Sequence, residues 1–225
     1  MTHSTDSASP APDSRPTVLW LIRHAEVEER YQSVFGGSID MELSARGHRQ
    51  AKGLASFLQQ HRFHALYASP MKRVQQTLAP CLVNGLGAPA IAPELREVDF
   101  GVWTGMRWDE IETRFGISPF SWLDQLECDG IDRAECAAVL RNRLEPWLRR
   151  VLAIHYGQQI ALFCHGGVIR MLLAILLDWP LSRFTAVEID YASLTQVVCY
   201  PFGARLQLVN FSPWRELAEM ELKGP

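Results

Sequence analysis

Three short apolar runs dictate most of what this chain can become. Val18–Ile22 is five apolar residues in a row, β-branched at both ends, and it stops abruptly at Arg23-His24. Ala65–Ser69 runs into Pro70-Met71-Lys72-Arg73, and Ile160–Cys164 runs into His165-Gly166-Gly167. Unbroken runs of this length suit strands buried on both faces of a parallel sheet. In open α/β sheets, ligands gather outside the carboxyl ends of the strands. Three strand ends would therefore deliver two arginines and two histidines to one rim.

The stretches between the runs agree with that reading. Ser44 predicts a capped helix whose stripe is Ala51, Leu54, Ala55 and Leu58. Ser69-Pro70 predicts a second helix, with Ser69 as cap, Pro70 at its first position, and Val74, Thr77, Leu78 and Cys81 turned to the core. Pro89–Trp103 reads as extended or irregular, and residues 105–130 as a short helix plus loops over the sheet edge. Ala134–Ile154 has helical spacing, which Pro146 should kink or divide. A helix from about Val168 to Leu177 follows the third run. Leu194–Tyr200 and Arg205–Phe211 flank Pro201-Phe202-Gly203 and predict a hairpin at the edge. The alternation implies a three-layer α/β/α fold with a mostly parallel sheet, right-handed crossovers and an antiparallel edge. Residues 1–16 are Ser/Pro/Ala-rich and read as a disordered lead-in, ahead of one domain over 17–225 with a lid-like insertion at 104–145.

Charge and composition exclude several classes. Lys and Arg total 22 against 25 acids, a net charge of −3. That leaves no electrostatic footprint for nucleic acid or an anionic membrane. The longest apolar stretch, Met171–Leu177, is too short to span a bilayer, and the first residues lack the apolar core of a signal peptide. Five cysteines form no C-x-x-C pair and are odd in number, so neither a disulfide framework nor a zinc site is expected. A reducing cytoplasm is the simplest compartment.

The rim residues have a shared chemistry. Two guanidiniums, Arg23 and Arg73, supply forked donors that match phosphate oxygens. Gly166-Gly167 ahead of a helix lets backbone N–H groups approach an anion. A histidine in such a cage can attack phosphorus, and neighbouring arginines favour its neutral form. Glu97, between Arg96 and Val98, is a candidate proton donor for the leaving oxygen. Asp99 would share its face on an extended segment, so spacing alone does not choose between them.

The motifs then become specific. Leu21–Glu26 resembles the Arg-His-Gly-Glu motif of the histidine phosphatase superfamily, the phosphoglycerate-mutase-like fold. Gly37–Gly47 is similar to that family's G-x-x-D-x-x-L-[ST]-x-x-G segment, Tyr67–Thr77 to its second arginine motif, Leu95–Trp103 to its acid motif, and Cys164–Arg170 to its second histidine motif. The resemblance implies a small phosphomonoester substrate, a phosphorylated His24, phosphoryl oxygens held by Arg23, Arg73 and His165 with Gly166 beside them, Glu97 as acid and then base, and no metal or other cofactor. The chain departs from the pattern at Ala25, Val27, Arg30 and Thr104. Arg30 stands where many members have a phosphate-contacting asparagine, so it would either add a cation there or belong to a different substrate pocket. A phosphomonoesterase of small metabolites is the first expectation. A cofactor-dependent phosphoglycerate mutase is the second, disfavoured because Asp124, Glu127, Asp129, Asp132 and Glu135 would repel a second phosphate. A silent phospholigand-binding module would need neither His24 nor Glu97.

Overall fold

The computed structural model describes residues 15–215, so all but the last two residues of the expected lead-in lie outside the described residues. Six strands, β1 (Thr17–Arg23), β2 (Ala65–Ala68), β3 (Ala90–Ile91), β4 (Gln159–Cys164), β5 (Leu194–Tyr200) and β6 (Gly203–Phe211), make one sheet in the order β3-β2-β4-β1-β5-β6. The first four run parallel, and β5 and β6 add the antiparallel edge.

Side chains alternate across a strand, and β1 uses both faces. Leu19 and Leu21 enter one apolar cluster, Trp20 and Ile22 the other. Helices α1 (Ala45–Leu58) and α2 (Lys72–Val83) cover the Trp20 face, with Leu54, Leu58, Val74 and Leu78 buried. The opposite face is covered by α5 (Ala137–Ile154) and α6 (Gly166–Leu177), through Leu144, Leu148, Val168 and Leu172. Two short helices, α3 (Trp108–Phe115) and α4 (Trp122–Glu127), lie between. This is the expected three-layer arrangement.

Local signals held at α1. The Ser44 hydroxyl accepts from the Gly47 amide at 2.9 Å and donates to Glu26 Oε1 at 2.7 Å, so the cap also anchors the loop after β1. The chain approaches so closely there that a Cβ on Gly47 would stand 2.0 Å from the Glu26 carbonyl oxygen.

Elsewhere tertiary partners overrode local signals. Ser69 does not cap α2, which starts at Lys72 with Met71 at the cap. Its hydroxyl is engaged by His165 instead. α5 begins at Ala137 and runs through Pro146 undivided. Leu140 and Leu144 before the proline and Trp147, Leu148 and Val151 after it are all buried, so packing holds both halves although one backbone donor is missing. Within residues 104–145, α3, α4 and the Pro119–Ser121 turn supply cavity-lining residues, whereas α5 packs against α6. Among the described residues no helix is long and apolar enough to cross a membrane, and all five cysteines are free.

Candidate active site

Strand register builds the rim. Arg23 pairs with Cys164 across β1 and β4, so the next residue of each strand, His24 and His165, stand side by side with ring centroids 5.2 Å apart. The pairing of Ala68 with Phe163 carries Ser69 to the same edge.

His24 is buried, and its Nδ1 lies 2.8 Å from the carbonyl oxygen of Ala25. A carbonyl only accepts, so Nδ1 carries the proton and Nε2 keeps its lone pair. Burial, then Arg73 and Arg23, hold the imidazole well below the usual histidine range. The loop is fixed from α2: the Ala25 amide donates to Thr77 Oγ1 at 2.8 Å, and that hydroxyl donates to the Arg73 carbonyl at 2.7 Å.

Arg73 is buried and spread over three acceptors. Nη1 donates to the Ile39 carbonyl at 2.7 Å, Nη2 to that of Gly37 at 3.2 Å, and Nε to His165 Nδ1 at 3.2 Å. With Nδ1 accepting, His165 donates through Nε2 to Ser69 Oγ at 2.9 Å. Both nitrogens of His165 are thus engaged by protein, and burial with Arg73 beside it lowers its pKa well below the usual value. Arg23 donates through Nη1 to the Ile189 carbonyl and lies 4.1 Å from the centroid of the Tyr191 ring. Its buried Nε has no partner among the described residues, a donor left for a bound anion.

Glu97 and Asp99 part company. Glu97 lines the cavity, whereas Asp99 is exposed and accepts from the Gly101 amide at 3.0 Å. The intervening chain is not a regular strand, so the two-residue spacing does not put both on one face. Gly167 sits so close that a Cβ there would meet Glu97 Oε1 and Val98 Cγ2 at 2.7 Å each.

These groups wall a cavity of about 490 Å³, within the usual range for small-ligand sites. Its lining includes Arg23, His24, Arg73, Glu97, Gly166 and Gly167. His165, fully buried, lies behind that wall and is not on it. Arg30 is not brought to the site: its side chain is 69% exposed, bonded to Glu28 at 3.2 Å and placed over the Tyr31 ring. None of the five acids expected to guard the entrance lines the cavity. Glu127 accepts from the Ser182 amide and Glu135 pairs with Arg143, while the acids at the cavity besides Glu97 are Glu188 and Asp190.

Several cavity residues escaped the sequence reading, Arg170 and Tyr191 among them. Arg170 donates to the carbonyls of Gly166, Phe184 and Val187, and burial, then Arg23, pulls its pKa down to about 10. The signal was there, because it is the lone cation in the apolar helix Gly166–Leu177. Tyr191 gave none, since the segment 178–193 has no periodic pattern.

Comparison with known proteins agrees with this geometry. The profile of the histidine phosphatase superfamily (branch 1) matches residues 19–212. Phosphoserine phosphatase 1 of Hydrogenobacter thermophilus is 29% identical over 180 residues, 80% of this chain and 85% of that one. The adenosylcobalamin/alpha-ribazole phosphatase of Escherichia coli is 25% identical over 192 residues, covering 85% and 95%. Among solved structures, mycobacterial hydrolase 1 superposes with a TM-score of 0.80 over 88% of this chain and 100% of that one, a likeness at 24% identity that speaks to fold alone.

Proposed function

The chain belongs to branch 1 of the histidine phosphatase superfamily and is a phosphatase, and we propose that it hydrolyses small phosphomonoesters through a phosphohistidine on His24. The observation that carries this is the pairing of a neutral His24, its Nε2 unprotonated, with Arg23, Arg73 and Glu97 around a single cavity.

In the first step the Nε2 lone pair forms a bond to phosphorus as the P–O bond to the alcohol breaks. Glu97 delivers its proton to the departing oxygen and becomes a carboxylate. In the second step that carboxylate takes a proton from water, the water oxygen bonds to phosphorus, and the P–N bond breaks to return its electron pair to Nε2. Arg23 and Arg73 stabilise the charge on the equatorial oxygens, with amides at the start of α6 adding donors. His165 supports this from behind by holding Arg73 through its Nε.

The mutase reading needs room for a second phosphate. Beside the cavity's three arginines, Arg23, Arg73 and Arg170, stand Glu97 and the exposed Glu188, and the Glu188 carboxylate disfavours another anion. Five free thiols suit a reducing compartment, and we assign the protein to the cytoplasm on that ground. The test is turnover of a metabolite panel by purified protein, with and without bisphosphoglycerate, coupled to rapid quench for a labelled phosphoenzyme. Hydrolysis without a trapped phosphoenzyme overturns the covalent step; phosphate moved to a second position on phosphoglycerate restores the mutase.

A further inference from the structure

The part of the cavity that the phosphoryl group does not need is aromatic. Phe35 and Phe100 are buried with ring centroids 4.9 Å apart, and Trp122 stacks edge-on to Phe100 at 5.5 Å. Trp108 lies 6.5 Å from Phe35 and, in turn, 5.8 Å from Phe120 in a T-shaped pair. All five line the cavity, so ring contacts run from the core to its mouth. The two outermost rings are 42% and 67% exposed. Exposed rings that touch each other at the lip of a cavity are a contact surface left unfilled.

Charge divides the same cavity. Asp190 is paired locally with Arg215 at 2.9 Å and accepts from the Asn210 side-chain amide at 2.9 Å. Glu188, exposed on the wall, makes no hydrogen bond or ion pair with any described residue, although its charge acts on the Arg170 guanidinium in the same cavity. The turn holding Phe120 packs against the turn 181–186 that leads to Glu188, so ring and carboxylate belong to one rim.

We propose, on the phosphatase reading above, that the alcohol released carries a planar ring, seated against Trp108 and Phe120, with a cationic group facing Glu188. The phosphoryl end meets the arginines at the floor, and the ring fills the mouth. Two ends of opposite charge would then fix one orientation of the substrate.

The test is steady-state hydrolysis by the full chain of four primary alkyl phosphates with similarly poor leaving groups: n-hexyl phosphate, 2-phenylethyl phosphate, and the latter with a para-aminomethyl or a para-carboxylate group. The expected order of kcat/KM is aminomethyl, phenylethyl, hexyl, with the carboxylate below phenylethyl, and adjacent steps of about tenfold. Phe120→Ala, at a largely exposed position that folding tolerates, brings the phenylethyl-to-hexyl ratio to about one. Glu188→Gln does the same for the aminomethyl-to-phenylethyl ratio. Equal turnover of ring and chain esters overturns the ring subsite and leaves the phosphatase standing, whereas no turnover of any of the four overturns both.

Discussion

His24 Nδ1 and the carbonyl oxygen of Ala25, the very next residue, are held 2.8 Å apart. On the proposed mechanism, that contact selects Nε2 for attack, because it leaves only Nε2 with a free electron pair. His24→Ala should therefore lower turnover by at least ~10⁴-fold with the fold intact. Rapid quench of the unaltered protein should trap an acid-labile, base-stable phosphoenzyme, absent from the variant. Full activity in the variant would sink the mechanism.

Glu97 faces the cavity and Asp99 faces solvent, so the two should respond differently to the leaving group. A poor alkoxide must be protonated as it departs, whereas nitrophenolate leaves unaided. Glu97→Gln should slow an alkyl phosphate by roughly 10²–10⁴-fold and p-nitrophenyl phosphate far less. Asp99→Asn should show no leaving-group dependence. Exchange of these behaviours would make Asp99 the acid.

Two buried neutral histidines make stability fall with acid. His24 and His165 both have lowered folded values, so from about pH 6.5 downward the unfolded chain takes up protons that the folded chain refuses. More protons on the unfolded state means stability rises with pH, and falls on acidification until the folded values are reached. The slope contributed by the pair is at most about 2.7 kcal/mol per pH unit. Urea unfolding at pH 7.5, 6.5 and 5.5 measures it, and His24→Asn should remove about half. A profile flat from 6.5 to 5.5 would contradict the neutral pair.

Arg30 is outside the cavity, and its partners are Glu28 and the Tyr31 ring. Arg30→Ala should leave kcat/KM within about twofold, as surface ion pairs contribute little. A tenfold loss would return Arg30 to the phosphate site.

Gly167 makes room for the acid. Gly167→Ala would press on Glu97 Oε1 and Val98 Cγ2, both 2.7 Å from the new methyl group. The carboxylate can swing away but the fully buried Val98 must shift within the core, so the melting temperature should fall by a few degrees while alkyl phosphate turnover drops about tenfold or more. Unchanged turnover would show that Glu97 has latitude at that point.

Much of this was legible in the chain. Apolar runs ending in charged or imidazole residues foretold the central strands and the rim, because strand burial and ligand placement in parallel sheets follow from the same geometry. The Ser44 cap and the core stripes of α1 and α2 were equally readable, since their signals are local. What failed depended on partners far along the chain. Ser69 has the chemistry of a helix cap, but His165, 96 residues away, engages its hydroxyl. His165 was expected at the phosphate through the family resemblance, and no spacing in the chain reveals that its two nitrogens also meet Arg73 and Ser69. Spacing could not separate Asp99 from Glu97, and the acids of 104–145 were read as facing the entrance, for a related reason: facing is set by packing, and irregular segments have no period from which to read it. Arg30 sat at a motif position whose loop turns outward here.

The sheet order carries a consequence for biosynthesis. β4 lies between β2 and β1, yet it is translated roughly 90 residues after β2. At ~5–20 residues per second a ribosome needs about 5–20 s to cover that interval. Throughout it, β1 and β2 have no shared neighbour and each offers an unpaired backbone edge to other nascent chains. Chains truncated ahead of residue 159 should consequently collect in the pellet or on a chaperone, and adding β4 with α6 should shift them into the supernatant in a fractionation assay. Equal solubility of the two truncations would mean that helices α1 and α2 shield those edges on their own.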